Sequence, residues 1–189
     1  MKGAIFGGTF DPIHNAHLGL AYQALDRFLF DEVIFIPAAN PPHKTASTPY
    51  QHRYRMVELA CQSEPRFHPS RIEAGRQRSY SILTIERLRQ ERPADQFYFL
   101  IGADAFRDIR TWHRWEDVIH AVEFIVVSRP GHDYQTPQGA TVHRLESLAL
   151  PVSSSEIRDE LAQGVRPEDV PPAVLDYIRE NGLYRRLAR

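Results

Sequence analysis

The chain has 189 residues, of which 42% are hydrophobic and 25% are charged, as expected for one globular domain with a sizeable core. Its net charge of -1 argues against nucleic acid or a membrane surface as a partner. The single cysteine, Cys61, excludes an intrachain disulfide and an all-cysteine metal site. The absence of a signal-peptide pattern and of any apolar run near ~18 residues predicts a cytoplasmic protein.

Strand-like apolar runs alternate with helical patterns along almost the whole chain. Strands are predicted at residues 3–6, 32–36, 66–73, 96–101, 123–128 and 141–145. Helices are predicted at residues 15–28, 50–62, 79–91, 115–120, 154–163 and 172–180. Because strands alternating with helices need right-handed crossovers, we expect an α/β fold with a parallel sheet covered by helices on both faces.

Two stretches, residues 37–49 and 131–139, are rich in proline, glycine and polar side chains, which predicts long loops. Each follows a predicted strand. In open α/β sheets the ligand lies outside the carboxyl ends of the strands. The first of these loops is therefore in a position to act as a lid or a substrate clamp.

The opening segment combines four features that suit a polyphosphate ligand. The apolar run 4–6 predicts a buried strand, and Gly7-Gly8 allows a sharp turn and close approach to a ligand. His14 and His17 then lie three residues apart where a helix begins, so both imidazoles share one helix face. A helix N-terminus beside a glycine turn offers N–H groups to an anion.

Two well-known phosphate-binding motifs are absent, which restricts the kinds of phosphate site that the segment can form. The chain has neither GxxxxGK[ST] nor a GxGxxG after its first strand, and no third metal ligand lies at a convincing spacing from the two histidines. The motif that remains is formed by Gly7, Gly8, Thr9, Phe10, Asp11, Pro12, His14 and His17. It resembles the opening motif of the bacterial nicotinate-nucleotide adenylyltransferases, in the HxGH nucleotidyltransferase superfamily. Ala16 departs from the family, which usually has glycine there.

A second segment lies about 140 residues downstream. Ser153 and Glu156 fit a capping box at a helix start. Ser154, Ser155 and Arg158 would leave hydroxyls, free N–H groups and a positive charge for a phosphate tail. The segment also resembles the second motif of the superfamily.

A third cluster follows the predicted strands at 96–101 and 123–128. Asp104, two residues after Gly102, is positioned to accept from ribose hydroxyls, with an ordinary helix cap as the alternative. Arg129 is a candidate for covering an adenine face or for capping the sheet edge. Their motifs are similar to the GxD and RPG motifs of the family.

The resemblance also indicates a nicotinate pocket. It implies that Thr84 and the Trp112 region frame the nicotinate ring, although Trp112 in the core remains an alternative. His113 stands where relatives often have tyrosine. His43 and Lys44 match an element whose basic residues approach the nucleotide phosphates, with a solvated loop as the alternative.

Taken together, the resemblance implies a Rossmann-like doubly wound sheet in a single domain, 1–189, whose C-terminal helical segment from about residue 153 completes the phosphate site. It implies transfer of AMP from ATP to nicotinate mononucleotide, with Mg²⁺ bound mainly through ATP phosphates. His14 and His17 would contact the phosphates, and Ser154, Ser155 and Arg158 would hold the β- and γ-phosphates. The predicted ATP-binding set is Gly7, Gly8, Thr9, Phe10, His43, Lys44, Gly102, Asp104, Arg129, Ser154 and Ser155.

Several alternatives stay open at this level. The acceptor is also consistent with nicotinamide mononucleotide, phosphopantetheine, or a sugar or polyol phosphate that receives a cytidylyl group. A nucleotide-sensing module without catalysis is the alternative from a different class. The oligomeric state is open, and a homo-oligomer is compatible with the sequence.

Overall fold

The computed structural model describes residues 1–42, 46–131, 133–147 and 152–185. Within these residues the strands form one six-stranded sheet in which every neighbouring pair is parallel. The strands are β1 (Lys2–Gly8), β2 (Glu32–Pro37), β3 (Phe67–Pro69), β4 (Gln96–Gly102), β5 (Glu123–Ser128) and β6 (Val142–Glu146). Their order is β3-β2-β1-β4-β5-β6. The predicted Rossmann-like sheet is confirmed.

Helices cover both faces of this sheet. They are α1 (Asn15–Phe28), α2 (Tyr50–Cys61), α3 (Ser81–Glu91), α4 (Ala103–Arg107), α5 (Trp115–Ala121), α6 (Ser154–Ala162) and α7 (Pro172–Glu180). Buried side chains of α1, α2, α6 and α7 belong to one hydrophobic cluster, and those of α3, α4 and α5 belong to a second. The sheet therefore separates two cores.

The apolar character of the central strands follows from this arrangement. Ala4 and Phe6 of β1 lie in the first cluster, whereas Ile5 lies in the second. Successive side chains of a strand point to opposite faces, so a strand with a core on each side must be apolar at every position. This is why β1 appears in the sequence as a continuous hydrophobic run.

The strand order reverses at β1, which pairs with β2 on one side and with β4 on the other. Gly8 at the end of β1 aligns with Pro37 at the end of β2. On the other side, Phe6 aligns with Leu100, two residues before β4 ends at Gly102. At such a reversal the connections leave in opposite directions and open a crevice at the carboxyl ends of the strands.

Most predicted elements are confirmed, and α1 and α7 have the predicted bounds. The strand predicted at 66–73 was too long, since β3 has only three residues and the chain then enters a turn in which Gly75 has φ +74°. The helix predicted from residue 79 begins at Ser81, because Ser79 exchanges hydrogen bonds with Asn40 across the crevice.

Two short elements were not predicted. Helix α4 has five residues, and a 3-10 turn covers Ile109–Thr111. Elements of this length give too few periodic positions to be recognised in a sequence. No helix in the described part of the chain has both the length and the apolar character needed to cross a membrane.

The turn after β1 provides a test of local packing. A Cβ added at Gly8 would lie 2.9 Å from the Phe10 ring, whereas one at Gly7 would lie 3.5 Å from Phe99, an ordinary contact. Since the Phe10 ring is buried and cannot move freely, we expect Gly8→Ala to lower the free energy of unfolding by about 1–3 kcal/mol. Gly7→Ala is the matched control and should lower the free energy of unfolding clearly less in the same urea titration. Equal losses would contradict the packing argument.

Candidate active site

The β1–α1 loop, residues 9–14, forms the floor of the crevice. Phe10 and Ile13 are buried in the first core, and Phe10 adopts a left-handed φ of 49°. The Phe10 ring contacts Phe6 at 5.6 Å and His17 at 5.1 Å between ring centroids. Apolar anchors therefore fix the loop from below, and the buried ring of Phe10 leaves only the backbone of that residue to face a ligand.

The two histidines lie together, as their spacing predicts. Their rings stack with centroids 3.7 Å apart and planes 30° apart. The backbone N–H of His14, the N-cap of α1, donates to His17 Nδ1 at 3.3 Å. Because Nδ1 accepts this bond, the neutral ring of His17 carries its proton on Nε2.

His14 is buried with an unpartnered nitrogen. Its residue is only 4% exposed, and its Nδ1 has no hydrogen-bond partner among the described residues. Burial lowers the pKa of His14 to about 4, so the ring is neutral at pH 7. A buried polar nitrogen without a partner is costly, which is typical of a position that a ligand completes.

The N-terminal end of α6 contacts the β1–α1 loop. Ser154 Oγ donates to the carbonyl of Pro12 at 3.0 Å, and Arg158 Nη1 donates to the carbonyl of Asp11 at 2.8 Å. The predicted capping box is present, since the Ser153 hydroxyl accepts from the Glu156 N–H at 3.3 Å. Two motifs far apart in sequence thus meet in one place.

Asp11 holds the loop through its side chain. Its carboxylate accepts from the backbone N–H and the hydroxyl of Ser47, at 2.7 and 2.8 Å, and from the Tyr184 hydroxyl at 2.6 Å. Burial favours a raised pKa, but these hydrogen bonds outweigh it and leave the pKa of Asp11 below its usual value. Burial and the neighbouring Asp11 raise the pKa of Tyr184, which keeps its proton.

A cavity of about 300 Å³ opens beside the loop, lined by the carboxyl ends of β1, β2 and β4 and by the start of α3. Thr84, Trp112 and His113 all line it, so the three predicted nicotinate-pocket residues lie together. His113 stacks on Tyr80 at 4.3 Å, whereas Trp112 packs edge-on against Phe99 at 5.9 Å. Trp112 therefore both faces the cavity and contacts the core.

Other predicted residues have different positions. Gly7, Gly8 and Thr9 line the cavity. Gly102 is the N-cap residue of α4, and Asp104 lies in the first turn of that helix. The Asp104 carboxylate is 91% exposed and pairs with the arginine three residues later at 2.9 Å.

Arg129 follows β5 directly and is exposed outside the cavity lining. His43 and Lys44 lie outside the described residues. Within the described residues, no group of three or more His, Cys, Asp or Glu side chains is arranged to hold a metal ion.

Two buried charged residues were missed by the sequence analysis. Glu73 accepts from the Thr84 hydroxyl at 2.7 Å and from the Ala39 N–H at 3.3 Å. Arg53, on α2, donates to three backbone carbonyls in two loops around the crevice. The helical period of α2 is visible in the sequence, but it does not distinguish Arg53 from the exposed Arg55 two residues later.

The fold and the two-motif crevice define a nucleotidyltransferase, and a family model described as cytidylyltransferase-like matches residues 5–160. A probable nicotinate-nucleotide adenylyltransferase of Solibacter usitatus is 60% identical over 187 residues, covering 97% of this chain and 100% of the relative. One from Thermus thermophilus is 40% identical over 98% of this chain and 100% of its own. The chain belongs to the nicotinate-nucleotide adenylyltransferase family.

Solved structures agree on the fold. The nicotinic acid mononucleotide adenylyltransferase of Plasmodium falciparum, complexed with NaAD, superposes with a TM-score of 0.82 at 21% identity, covering 97% of each chain. The same protein complexed with APC gives a TM-score of 0.80.

The neutral state of His14 predicts how stability depends on pH. Its pKa is about 4 in the folded protein and about 6.5 in the unfolded chain, so the unfolded chain binds the extra proton as the pH falls. Between pH 7 and pH 5 this group should therefore remove about 2 kcal/mol of stability. Urea unfolding at pH 7 and pH 5 should show a smaller loss of stability in His14→Asn than in the wild type. The loss should be unchanged in His120→Asn, because His120 is exposed and serves as the control. An unchanged pH dependence in His14→Asn would exclude His14 as its source.

Proposed function

We propose that this enzyme transfers the adenylyl group of ATP to the phosphate of nicotinate mononucleotide, giving nicotinate adenine dinucleotide and pyrophosphate in NAD biosynthesis. The observation that carries the proposal is the meeting of the histidine loop with the start of α6, beside a separate cavity lined by Thr84 and Trp112. One half suits a polyphosphate, and the other suits a planar ring. The names of the relatives support this assignment.

The reaction needs no nucleophilic side chain. A phosphate oxygen of the mononucleotide forms a bond to the α-phosphorus of ATP, and the bond from that phosphorus to the bridging oxygen of pyrophosphate breaks. Catalysis then consists of in-line alignment and stabilisation of the charge on the transferring group. The site residues supply donors for both tasks.

The first donors are the histidines and the loop backbone. His17 carries its proton on Nε2, and we assign this N–H and the Thr9–Phe10 backbone to the transferring phosphoryl group. His14, whose Nδ1 has no partner among the described residues, would complete its hydrogen bonding on a phosphate oxygen. Because the His14 ring is neutral at pH 7, it adds no positive charge to the site before ATP arrives.

The second group of donors lies at α6. Ser154, Ser155 and Arg158 would hold the β- and γ-phosphates. Arg158 uses one N–H on the Asp11 carbonyl, which leaves further guanidinium N–H groups for phosphate oxygens. His43 and Lys44 would approach the same phosphates from the loop after β2.

Mg²⁺ would enter with ATP. The candidate phosphate-binding side chains of the β1–α1 loop and the start of α6 are mainly imidazoles and hydroxyls, which are weaker ligands for Mg²⁺ than carboxylates and phosphates. The ion would therefore be held mainly by ATP phosphate oxygens, where it would neutralise charge on the leaving pyrophosphate. On the nucleoside side, Gly102 and Asp104 would contact the ribose, and Arg129 would cover the adenine.

The acceptor would occupy the cavity. Thr84 and Trp112 would frame the nicotinate ring, and the His113–Tyr80 stack would close one wall. We further propose that residues 1–189 act as one domain in the cytoplasm, with the segment from about residue 153 completing the phosphate site. A homo-oligomer remains compatible with this arrangement.

Removal of the His17 donor tests the catalytic assignment. We expect His17→Ala to lower kcat by about 10²–10³, the usual effect of losing one preorganised donor to the transition state. His17→Asn is the matched control for helix capping, because its amide oxygen can still accept from the His14 N–H. Both variants should lose activity while circular dichroism shows a folded protein. Near-normal turnover in either folded variant would contradict the assignment.

The choice of acceptor is tested by pyrophosphate release with alternative substrates. Nicotinate mononucleotide should give the highest kcat/KM, above nicotinamide mononucleotide and phosphopantetheine. A preference for nicotinamide mononucleotide or for phosphopantetheine would show that the proposed acceptor is wrong, while adenylyl transfer would remain the reaction. ATP binding without pyrophosphate release from any acceptor would indicate a sensor instead.

A further inference from the structure

Arg53 lies behind the β1–α1 loop and is 1% exposed. Its guanidinium donates to the carbonyl of Thr9 at 2.7 Å, to that of Thr48 at 3.0 Å and to that of Ala39 at 3.3 Å. Thr9 belongs to the β1–α1 loop, whereas Ala39 and Thr48 both belong to the loop after β2, so these acceptors come from two loops around the crevice. All three are neutral, so the positive charge of Arg53 is not cancelled at its contacts.

The bond to Thr9 fixes the orientation of a peptide group in the candidate active site. The Thr9–Phe10 peptide is trans, since the only cis bond in the described chain is Asp11–Pro12. In a planar trans peptide the C=O and the N–H point in opposite directions. With the Thr9 carbonyl aimed at Arg53, the Phe10 N–H must point away from it.

The Phe10 N–H donates no hydrogen bond to any group in the described residues. The Arg53 guanidinium is a cation bound to the carbonyl of the same peptide. It polarises the peptide group and makes the Phe10 N–H a stronger donor. Phe10 itself is held by its buried ring and its left-handed backbone. An oriented, polarised and unused N–H thus stands two residues beyond the glycine turn.

We propose that Arg53 is a positioning residue for adenylyl transfer, which aims the Phe10 N–H at the transferring phosphoryl group and strengthens it as a donor. The inference rests on the proposed function. Arg53 does not touch the substrate and acts through the Thr9–Phe10 peptide.

The same side chain sets the second half of the site. Ala39 and Thr48 lie near the two ends of the loop after β2, and Arg53 bonds to both, which closes the neck of that loop. Pro41 and Pro42 in this loop line the cavity. One guanidinium therefore gives the phosphate loop and the acceptor cavity a common point of attachment.

An NMR experiment tests the orientation independently of activity. Thr9–Phe10 is the only Thr-Phe pair in the chain, so labelling threonine with ¹³C at the carbonyl and phenylalanine with ¹⁵N isolates one amide signal. We expect this signal to move upfield in Arg53→Met and to stay in place in Arg55→Met. Arg55 is an exposed arginine on the same helix, which makes it a matched control. An unmoved Phe10 signal in Arg53→Met would overturn the proposal.

Steady-state kinetics test the consequence for catalysis. In Arg53→Met, kcat per folded molecule should fall by about 10–10²-fold, which is less than the effect of removing a donor directly. The fall in kcat should exceed the rise in KM for ATP and for nicotinate mononucleotide. A role limited to folding would lower Tm and leave kcat per folded molecule unchanged, and that result would overturn the proposal. An inactive wild-type enzyme would instead refute the proposed function, while the NMR comparison would still stand.

Arg53→Lys covers the case in which the methionine variant does not fold. Lysine keeps the charge but cannot reproduce the planar three-carbonyl fork. In Arg53→Lys we expect a smaller shift of the Phe10 signal than in Arg53→Met, and a kcat several-fold lower than that of the wild type. A folded lysine variant with both the wild-type signal and the wild-type kcat would overturn the proposal.

Discussion

The candidate site depends on the buried carboxylate of Asp11, where three distant parts of the chain meet. Ser47 binds it from the end of the loop after β2, and Tyr184 binds it from beyond α7. A buried carboxylate is stable only when its oxygens are hydrogen-bonded, so neither partner can leave without a large penalty. The loop therefore keeps its shape because its core side chains, its carboxylate and its carbonyls are each bound by a different element.

The polar groups around the crevice divide into two kinds. Asp11, Arg53 and Glu73 are buried and bonded within the described residues, so they contribute to the shape of the site. His14 Nδ1 and the Phe10 N–H have no partner there. Folding thus satisfies the polar groups behind the loop and leaves those in the loop for a ligand, which is the usual cost of a preorganised site.

Sequence patterns predicted the sheet, most of the helices and the proximity of His14 to His17, because these depend on local features. Apolar runs, the glycine turn and the histidine spacing all lie within a few residues of one another. Arg53 and Glu73 could not be found in this way, since their roles arise from contacts with Thr9, Ala39 and Thr84, which lie on other elements. Charged residues in amphipathic helices are usually exposed, and only the packed structure shows which one is buried. The length of β3 was wrong for a related reason, because pairing with β2 decides where that strand stops.

The hydrogen bond from Thr84 to Glu73 has a consequence for how a ligand lies in the cavity. The Thr84 hydroxyl uses its only proton in the hydrogen bond to the Glu73 carboxylate, so Thr84 Oγ1 can only accept a further hydrogen bond. A ligand carboxylate placed against Thr84 would meet the Thr84 hydroxyl oxygen and the Glu73 carboxylate. Both are acceptors, and neither would offer it a proton. Under the proposed function, a mononucleotide would turn a hydroxyl or a ring C–H edge towards Thr84 and its carboxylate away from Thr84 and Glu73. The direction of this one buried hydrogen bond thus gives the cavity a polarity, which would limit how a flat ring is oriented in it.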